Sequence, residues 1–148
     1  ALEKYWIVRS SWLYGAGRMS FPEKIIKAAQ EQGSLQVVTD EIASPTWTDS
    51  LAEGIARLIK HPIWGIYHLT NTGKCSRFDW AKAILQEAGL GDIPIRPTTL
   101  AHYPNPYRKP PFTVLGNQKA AILGIELPHW QQALADYFKL NSQVAQTS

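Results

Sequence analysis

The stretch Tyr5-Trp6-Ile7-Val8-Arg9, followed by the polar, glycine-containing segment 10–17, decides the fold of this chain. The apolar run is rich in β-forming residues and has no hairpin partner nearby, which is typical of a buried parallel strand. Ser20 then predicts the cap of a helix that has Glu23 in its first turn and ends at Gly33. The chain therefore begins as a strand, a loop and a helix.

The same alternation continues outward from this stretch. The periodicity predicts strands over 35–39 and 65–69, an edge strand or extended segment over 93–97, helices over about 48–60 and 76–88, a short helix from 117 to 124, a helix from about 128, and a frayed tail over 141–148. The helix over 48–60 is expected to pack through Leu51, Ile55, Leu58 and Ile59. This order of elements predicts an α/β architecture.

The composition indicates one globular domain, which we assign to residues 1–148. Hydrophobic residues make up 45% of the 148 residues and charged residues only 18%, which excludes a disordered tail or a charged coiled coil. The basic residues are scattered and the net charge is +3, so no nucleic-acid partner is expected. No apolar run approaches the roughly 18 residues that span a bilayer, and residues 1–5 show no signal-peptide pattern, so no membrane association is expected.

Cys75 is the single cysteine of the sequence. It excludes an internal disulfide and a thiolate metal site and fits a reducing compartment, so cytoplasmic localisation is the expectation. Its position before a predicted helix can lower a thiol pKa, but an inert thiol is the favoured interpretation. The four histidines, His61, His68, His102 and His129, show no metal-ligand spacing, and no carboxylate pair suggests acid–base chemistry. The residues alone indicate binding chemistry and no catalytic group.

Three segments are candidate binding sites, each with a structural alternative. Gly15 to Ser20, with Asp40 after the next strand, partly matches a dinucleotide fingerprint, but Ser20 replaces the third glycine, so a plain loop before a capped helix is the favoured interpretation. Trp12, beside Ser10 and Ser11 at the end of the first strand, offers a flat face to a sugar ring or packs under the following loop.

The third candidate is the proline-rich block from Tyr103 to Pro111, which carries the adjacent cations Arg108 and Lys109. Held on a stiff loop between aromatic residues, these two side chains can clamp a diphosphate. A solvated linker is the alternative interpretation.

Several blocks, in order and over nearly the whole chain, resemble the dTDP-4-dehydrorhamnose reductase family of extended short-chain dehydrogenases. They are residues 7–15, 37–46 with Leu51-Ala52, 65–71, Tyr103-Pro104 through Arg108-Lys109-Pro110, and 127–130. The resemblance is to the C-terminal half of that enzyme. The glycine-rich NADPH loop and the catalytic Tyr-x-x-x-Lys pair of the N-terminal Rossmann half have no counterpart here.

The resemblance implies the nucleotide-sugar-binding half of a reductase that makes dTDP-L-rhamnose from dTDP-4-dehydro-L-rhamnose. Trp12 would lie against the deoxysugar, Arg108, Lys109 and Tyr103 would line the substrate pocket, and Ser10 and Ser11 would lie near the nicotinamide. NADPH, or NADH, would be bound mainly by the missing half, and the family leaves room for Mg²⁺ in the assembly. The resemblance implies that the chain belongs to a family of enzymes and that it is inactive without the other half. A non-catalytic regulatory or protein-binding module is the alternative.

The sequence also departs from the family pattern, and the resemblance implies an exposed sheet edge. Glu41 stands where the family usually has glutamine, and an acidic side chain near a diphosphate would repel it. The strands corresponding to Trp6–Arg9 and Ile66–Leu69 would be the last two of the Rossmann sheet. Their unpaired edge and apolar face predict association with the missing half or with a second copy of this chain.

Overall fold

The structure, a computed structural model, describes residues 4–17, 19–103 and 110–146. Its strands are β1 Trp6–Arg9, β2 Leu13–Tyr14, β3 Leu35–Val38, β4 Ile42–Ala43, β5 Thr46–Trp47, β6 Gly65–His68, β7 Cys75–Ser76 and β8 Ile95–Thr98. Its helices are α1 Phe21–Gln32, α2 Thr48–Leu58, α3 Arg77–Glu87, α4 Gln118–Ile122 and α5 Trp130–Gln146, with a 3₁₀ turn at Leu100–His102. The predicted α/β class is confirmed.

Strands β1 and β6 pair in parallel, from Trp6 beside Gly65 to Arg9 beside His68. One face of this pair packs on α2 and α4 in a core whose buried members are Leu58, Tyr67, Leu69, Ala120, Ile125 and Leu127. The opposite face leaves Ile7 and Ile66, which are paired across the strands, 45% and 43% exposed. The two strands predicted to pair therefore do so, and one side of their sheet carries exposed isoleucines.

A second and larger core lies among α1, α3 and α5. Its centre is Trp80, which is fully buried. Strands β3 and β8 form a parallel pair beside it, and Pro97 fits in β8 because an edge strand has no second neighbour that needs its N–H. The prediction of an edge strand around 93–97 is thus confirmed, with the strand itself at Ile95–Thr98.

Local capping explains where two helices begin. The Ser20 hydroxyl and backbone N–H both contact the Glu23 carboxylate at the start of α1, and Ser76 and Asp79 repeat this arrangement at the start of α3. Helix α1 ends at Gly33, which adopts the left-handed φ of 66° that favours glycine. These caps agree with the boundaries that the sequence predicts.

The structure differs from the sequence-based expectations in three places. The segments 10–17 and 40–46 hold the short strands β2, β4 and β5, which are formed by long-range pairing rather than local pattern. Helix α2 ends at Leu58, and Ile59 is 55% exposed instead of lying on the packing face. Helix α5 continues to Gln146, and the turn at Asn141, where fraying is predicted, is supported by a hydrogen bond from Asn141 Nδ2 to the Tyr137 carbonyl.

Within the described ranges, none of the helices combines the length and the apolarity that crossing a bilayer requires.

A single side-chain hydrogen bond joins the last helix to the first. The Tyr137 hydroxyl, on α5, donates to Glu23 Oε1 on α1. Burial alone would raise the pKa of Glu23, but hydrogen bonds from Ser20 and Tyr137 outweigh it and hold the pKa below its ordinary value of 4.5. The lowered pKa means that this carboxylate stabilises the fold above pH 4.5, and that the stabilisation is lost as the pH falls through the folded-state pKa.

We expect Tyr137→Phe to lower the free energy of unfolding by about 1–2 kcal/mol at neutral pH, because it removes a hydrogen bond to a charged group. The difference from wild type should shrink as the pH falls below 4.5. Urea denaturation over this pH range measures both quantities. Tyr67→Phe is the matched control, because its hydroxyl donates to the Ile63 carbonyl, which does not titrate. Equal pH dependence of the two variants would contradict the assignment.

Cys75 is buried on β7, and burial is the main reason that its pKa rises to about 12, with the Asp79 carboxylate adding to the effect. Burial thus favours the inert thiol over the lowered pKa that a position before a helix can give. We expect iodoacetamide to alkylate the folded chain at mildly alkaline pH at least about a hundredfold more slowly than the urea-unfolded chain, because the thiolate is the reactive form. Mass spectrometry reports it directly, since the sequence has one cysteine. Comparable rates in both states would refute it.

Candidate functional site

A cleft of about 900 Å³ lies between β2, the start of α1, β3 and the start of α3. Its lining includes the side chains Trp12, Phe21, Glu41, Arg77, Trp80 and Tyr103. The cleft combines aromatic surface with one carboxylate and one guanidinium. Such a mixture is typical of pockets for ligands that have both a ring and polar substituents.

Trp12 is held in the cleft in an unfavourable backbone conformation. Its φ of 43° makes it the one non-glycine residue with positive φ in the described part of the chain, a conformation that costs of order 1 kcal/mol and persists where its surroundings enforce it. The Trp12 carbonyl accepts a hydrogen bond from Thr46 N, and the indole stacks on Trp80 at 5.4 Å between ring centroids. Trp12 therefore both packs on the core and lines the cleft.

Arg77, the first residue of α3, covers Trp12. The guanidinium carbon lies 3.7 Å from the centre of the Trp12 ring and 4.7 Å from that of Phe21. Nε and Nη2 both donate to Glu41 Oε1, at 3.3 and 3.2 Å. The Arg77 backbone N–H also donates to the Glu41 carbonyl. The charge of Glu41, which from the sequence would repel a diphosphate, is thus paired with Arg77 inside the cleft.

The predicted substrate-binding residues are partly brought together. Trp12 and Tyr103 line the same cleft, with Tyr103 47% exposed at its rim. Arg108 and Lys109 lie outside the described residues.

The two serines predicted near the cofactor behave differently. Ser11 Oγ donates to the Ser44 carbonyl at 2.9 Å. Ser10 Oγ is buried and has no hydrogen-bond partner among the described residues. Neither serine is part of the cleft lining. Of these two serines, Ser10 is therefore the one whose buried hydroxyl has no partner in the described part of the chain.

The residues that partly match a dinucleotide fingerprint are already occupied. The Asp40 carboxylate accepts from Leu100 N at 2.9 Å, where it caps the 3₁₀ turn instead of being free for a ribose. The Glu23 carboxylate sits at the start of α1, where a pyrophosphate would have to bind. Gly15 packs closely on Thr48, so its lack of a side chain serves packing. The geometry therefore favours the plain loop and capped helix.

The phenol of Tyr14 lines the cleft and is held in one protonation state. Burial, followed by neighbouring charges, raises the pKa of Tyr14 well above its usual range, so this phenol stays protonated near neutral pH. No group of at least three His, Cys, Asp or Glu side chains is arranged to hold a metal ion in residues 4–17, 19–103 and 110–146. Mg²⁺ stays a prediction, because one or two carboxylates with water and phosphate oxygens are enough to hold this ion.

Sequence reasoning missed Arg77 as a site residue. Arg77 and Glu41 are 36 positions apart and meet because β4 pairs with β7 in antiparallel fashion, Ile42 beside Ser76. The one signal in the sequence is a charged residue directly after the Ser76 cap, and a helix start alone does not indicate a binding site.

Comparisons with known proteins identify the family to which the chain is similar. The family model described as the RmlD substrate binding domain matches residues 1–142. The spore coat polysaccharide biosynthesis protein SpsK of Bacillus subtilis is 40% identical over 92% of this chain and 47% of its own length. A dTDP-4-dehydrorhamnose reductase of Streptomyces griseus is 36% identical over 90% of this chain and 46% of its own length.

A solved structure is also similar. The dTDP-4-dehydrorhamnose reductase of Bacillus anthracis, in complex with NADP, superposes with a TM-score of 0.85 at 32% identity, over 92% of this chain and 48% of that one. The chain spans about half the length of the relatives it matches. It belongs to the RmlD substrate-binding family and corresponds to the C-terminal half of the dTDP-4-dehydrorhamnose reductases.

Proposed function

We propose that this chain is the nucleotide-sugar-binding half of a dTDP-4-dehydrorhamnose reductase and holds dTDP-4-dehydro-L-rhamnose in the cleft. The observation that carries the proposal is Trp12, whose indole lines the cleft just beyond the carboxyl end of β1. Ligands of open parallel sheets bind outside the carboxyl ends of the strands. The part of the indole that Arg77 and Trp80 leave uncovered provides apolar contact for the 6-deoxyhexose.

The remaining contacts extend from Trp12 in the proposed complex. Tyr103, at the rim of the same cleft, lies on the chain directly before the block that carries Arg108 and Lys109. In our proposal these two cations neutralise the nucleotide side of the ligand. Their contribution is electrostatic, because the two phosphates carry negative charge that must be paired when the cleft excludes water.

When bound, mainly by an N-terminal Rossmann half, NADPH would supply a hydride for the C4 ketone, and a proton donor of that half would complete the alcohol. In our proposal this chain positions the substrate, because Trp12 fixes the plane of the hexose. The buried Ser10 hydroxyl has no partner in the described part of the chain, which supports a contact between Ser10 and the cofactor. Ser11 is the weaker candidate because its hydroxyl already bonds to Ser44. We propose that the chain alone does not reduce the ketone.

The exposed face of the β1–β6 pair is the proposed contact with that Rossmann half. Ile7 and Ile66 lie side by side there, and Tyr5, 43% exposed, precedes them. Apolar side chains grouped on a sheet face favour a partner. In the absence of the other half, a second copy of the chain would cover the same face.

We expect Trp12→Ala to weaken binding of dTDP-L-rhamnose by about tenfold or more, because loss of a stacked aromatic contact of roughly 1.5 kcal/mol corresponds to that factor. Isothermal titration calorimetry measures the affinity. Trp64→Ala is the control, since Trp64 contacts Trp6 and is not a cleft residue. Unchanged affinity of the Trp12→Ala variant for dTDP-L-rhamnose would remove the main support for the proposal. If the wild-type chain does not bind dTDP-sugars at all, the regulatory alternative is favoured.

We expect the 148-residue chain to self-associate in light scattering, and Ile7→Ser/Ile66→Ser to shift it toward monomer, because the substitution removes the apolar face. Supplying a matching N-terminal half should give a one-to-one complex with wild type and not with this variant. Ile122→Ser is the control, because Ile122 is 84% exposed on α4, which the proposal does not use. A monodisperse wild-type monomer at moderate concentration would refute the prediction.

A further inference from the structure

Arg77 is a largely buried cation in a cleft that the proposed function assigns to a doubly charged phosphate ligand. Its side chain is 21% exposed, and that of its partner Glu41 is 14% exposed. The other cation of the lining, Lys24, is exposed. A cation removed from water requires compensating partners, so the bonding of the guanidinium decides what it can still bind.

The guanidinium of Arg77 contacts aromatic rings and one carboxylate oxygen. The guanidinium carbon lies 3.7 Å from the centre of the Trp12 ring and 4.7 Å from that of Phe21. Nε and Nη2 donate to the same oxygen of Glu41 instead of forming a two-oxygen fork. Within the described ranges, Nη1 donates to no side chain or carbonyl. The guanidinium therefore retains N–H donors along the edge that does not face Glu41.

The charge of Arg77 persists in this environment. Burial lowers the pKa of Arg77 from its usual range, and the Glu41 carboxylate opposes that effect. An arginine remains protonated in proteins despite such shifts. Glu41 therefore acts on Arg77 as a counter-ion and not as a proton acceptor.

We propose that the Arg77 guanidinium binds a phosphate group of the nucleotide ligand in this cleft, and that Glu41 is the resident counter-ion that this phosphate must share. The ligand class rests on the proposed function, whereas the binding residue and its counter-ion rest on the contacts of this chain. The planar guanidinium presents donors that match phosphate oxygens, and its stacking on Trp12 fixes the plane in which they point.

The two charged residues then have opposite effects on affinity. The guanidinium attracts the phosphate, while the carboxylate behind it weakens that attraction, since like charges repel across a cleft of low polarity. Glutamine at position 41 could still accept the hydrogen bonds from Arg77 and would carry no charge. Removal of the carboxylate should therefore strengthen phosphate binding, which a purely structural ion pair would not do.

The experiment titrates thymidine diphosphate and, separately, thymidine into wild type, Arg77→Gln, Glu41→Gln and Lys82→Gln, with tryptophan fluorescence as readout. Lys82 lies on the same helix as Arg77 and contacts Phe78 outside the cleft lining, so Lys82→Gln removes the same charge elsewhere. For thymidine diphosphate we expect Arg77→Gln to lose about tenfold in affinity or more and Glu41→Gln to gain about threefold or more. Affinities for thymidine, and that of Lys82→Gln for thymidine diphosphate, should stay within about twofold of wild type.

The outcomes separate this inference from the proposed function. Wild type that binds neither ligand overturns the proposed function and the inference with it. Wild type that binds thymidine diphosphate, with Glu41→Gln unchanged or weaker, overturns the inference alone. Thermal melting of each variant identifies loss of folding, and Glu41→Gln keeps the guanidinium stack, so its result decides the matter if Arg77→Gln does not fold.

Discussion

The packing of Trp80 is the constraint on which the cleft depends. Its buried indole contacts Trp12 just before β2, Tyr14 in β2 and Phe21 at the start of α1. Three rings from two parts of the chain thus meet on one side chain of α3. Because the interior is close-packed, a shift of Trp80 would move every one of these rings. The positive φ of Trp12 persists because these contacts and the hydrogen bond to its carbonyl fix the ring's position.

The two cores have different roles. The core around Leu58 and Tyr67 supports the β1–β6 pair, one side of which carries exposed isoleucines. The core around Trp80 supports the cleft. The segment from Arg9 to Trp12 connects the two cores. A partner that holds β1 and β6 in place therefore also constrains the position of Trp12 in the cleft. This connection gives a physical reason for the site to follow directly on the carboxyl end of β1.

Local sequence pattern predicted the elements that depend on local chemistry. Helix α1 could be located from Ser20, Glu23 and Gly33, because the capping contacts lie within the helix's own ends. Strands β2 and β5 could not, because two-residue strands exist only through their pairing across the fold. The same limit applies to the site: Trp12 is visible as an aromatic residue after a strand, whereas the Arg77–Glu41 pair requires β4 to meet β7.

The family that the sequence resembles usually has glutamine at position 41, and this chain has glutamate. The guanidinium of Arg77 compensates for the added negative charge. An isolated carboxylate on a side chain only 14% exposed would be costly, but Glu41 meets Arg77 through both a side-chain ion pair and a backbone hydrogen bond. The pair leaves the local charge near zero while placing a donor-rich edge beside Trp12. From the sequence alone, a glutamate at position 41 suggests weaker anion binding. In the folded chain the same glutamate holds the Arg77 guanidinium in place against the Trp12 indole.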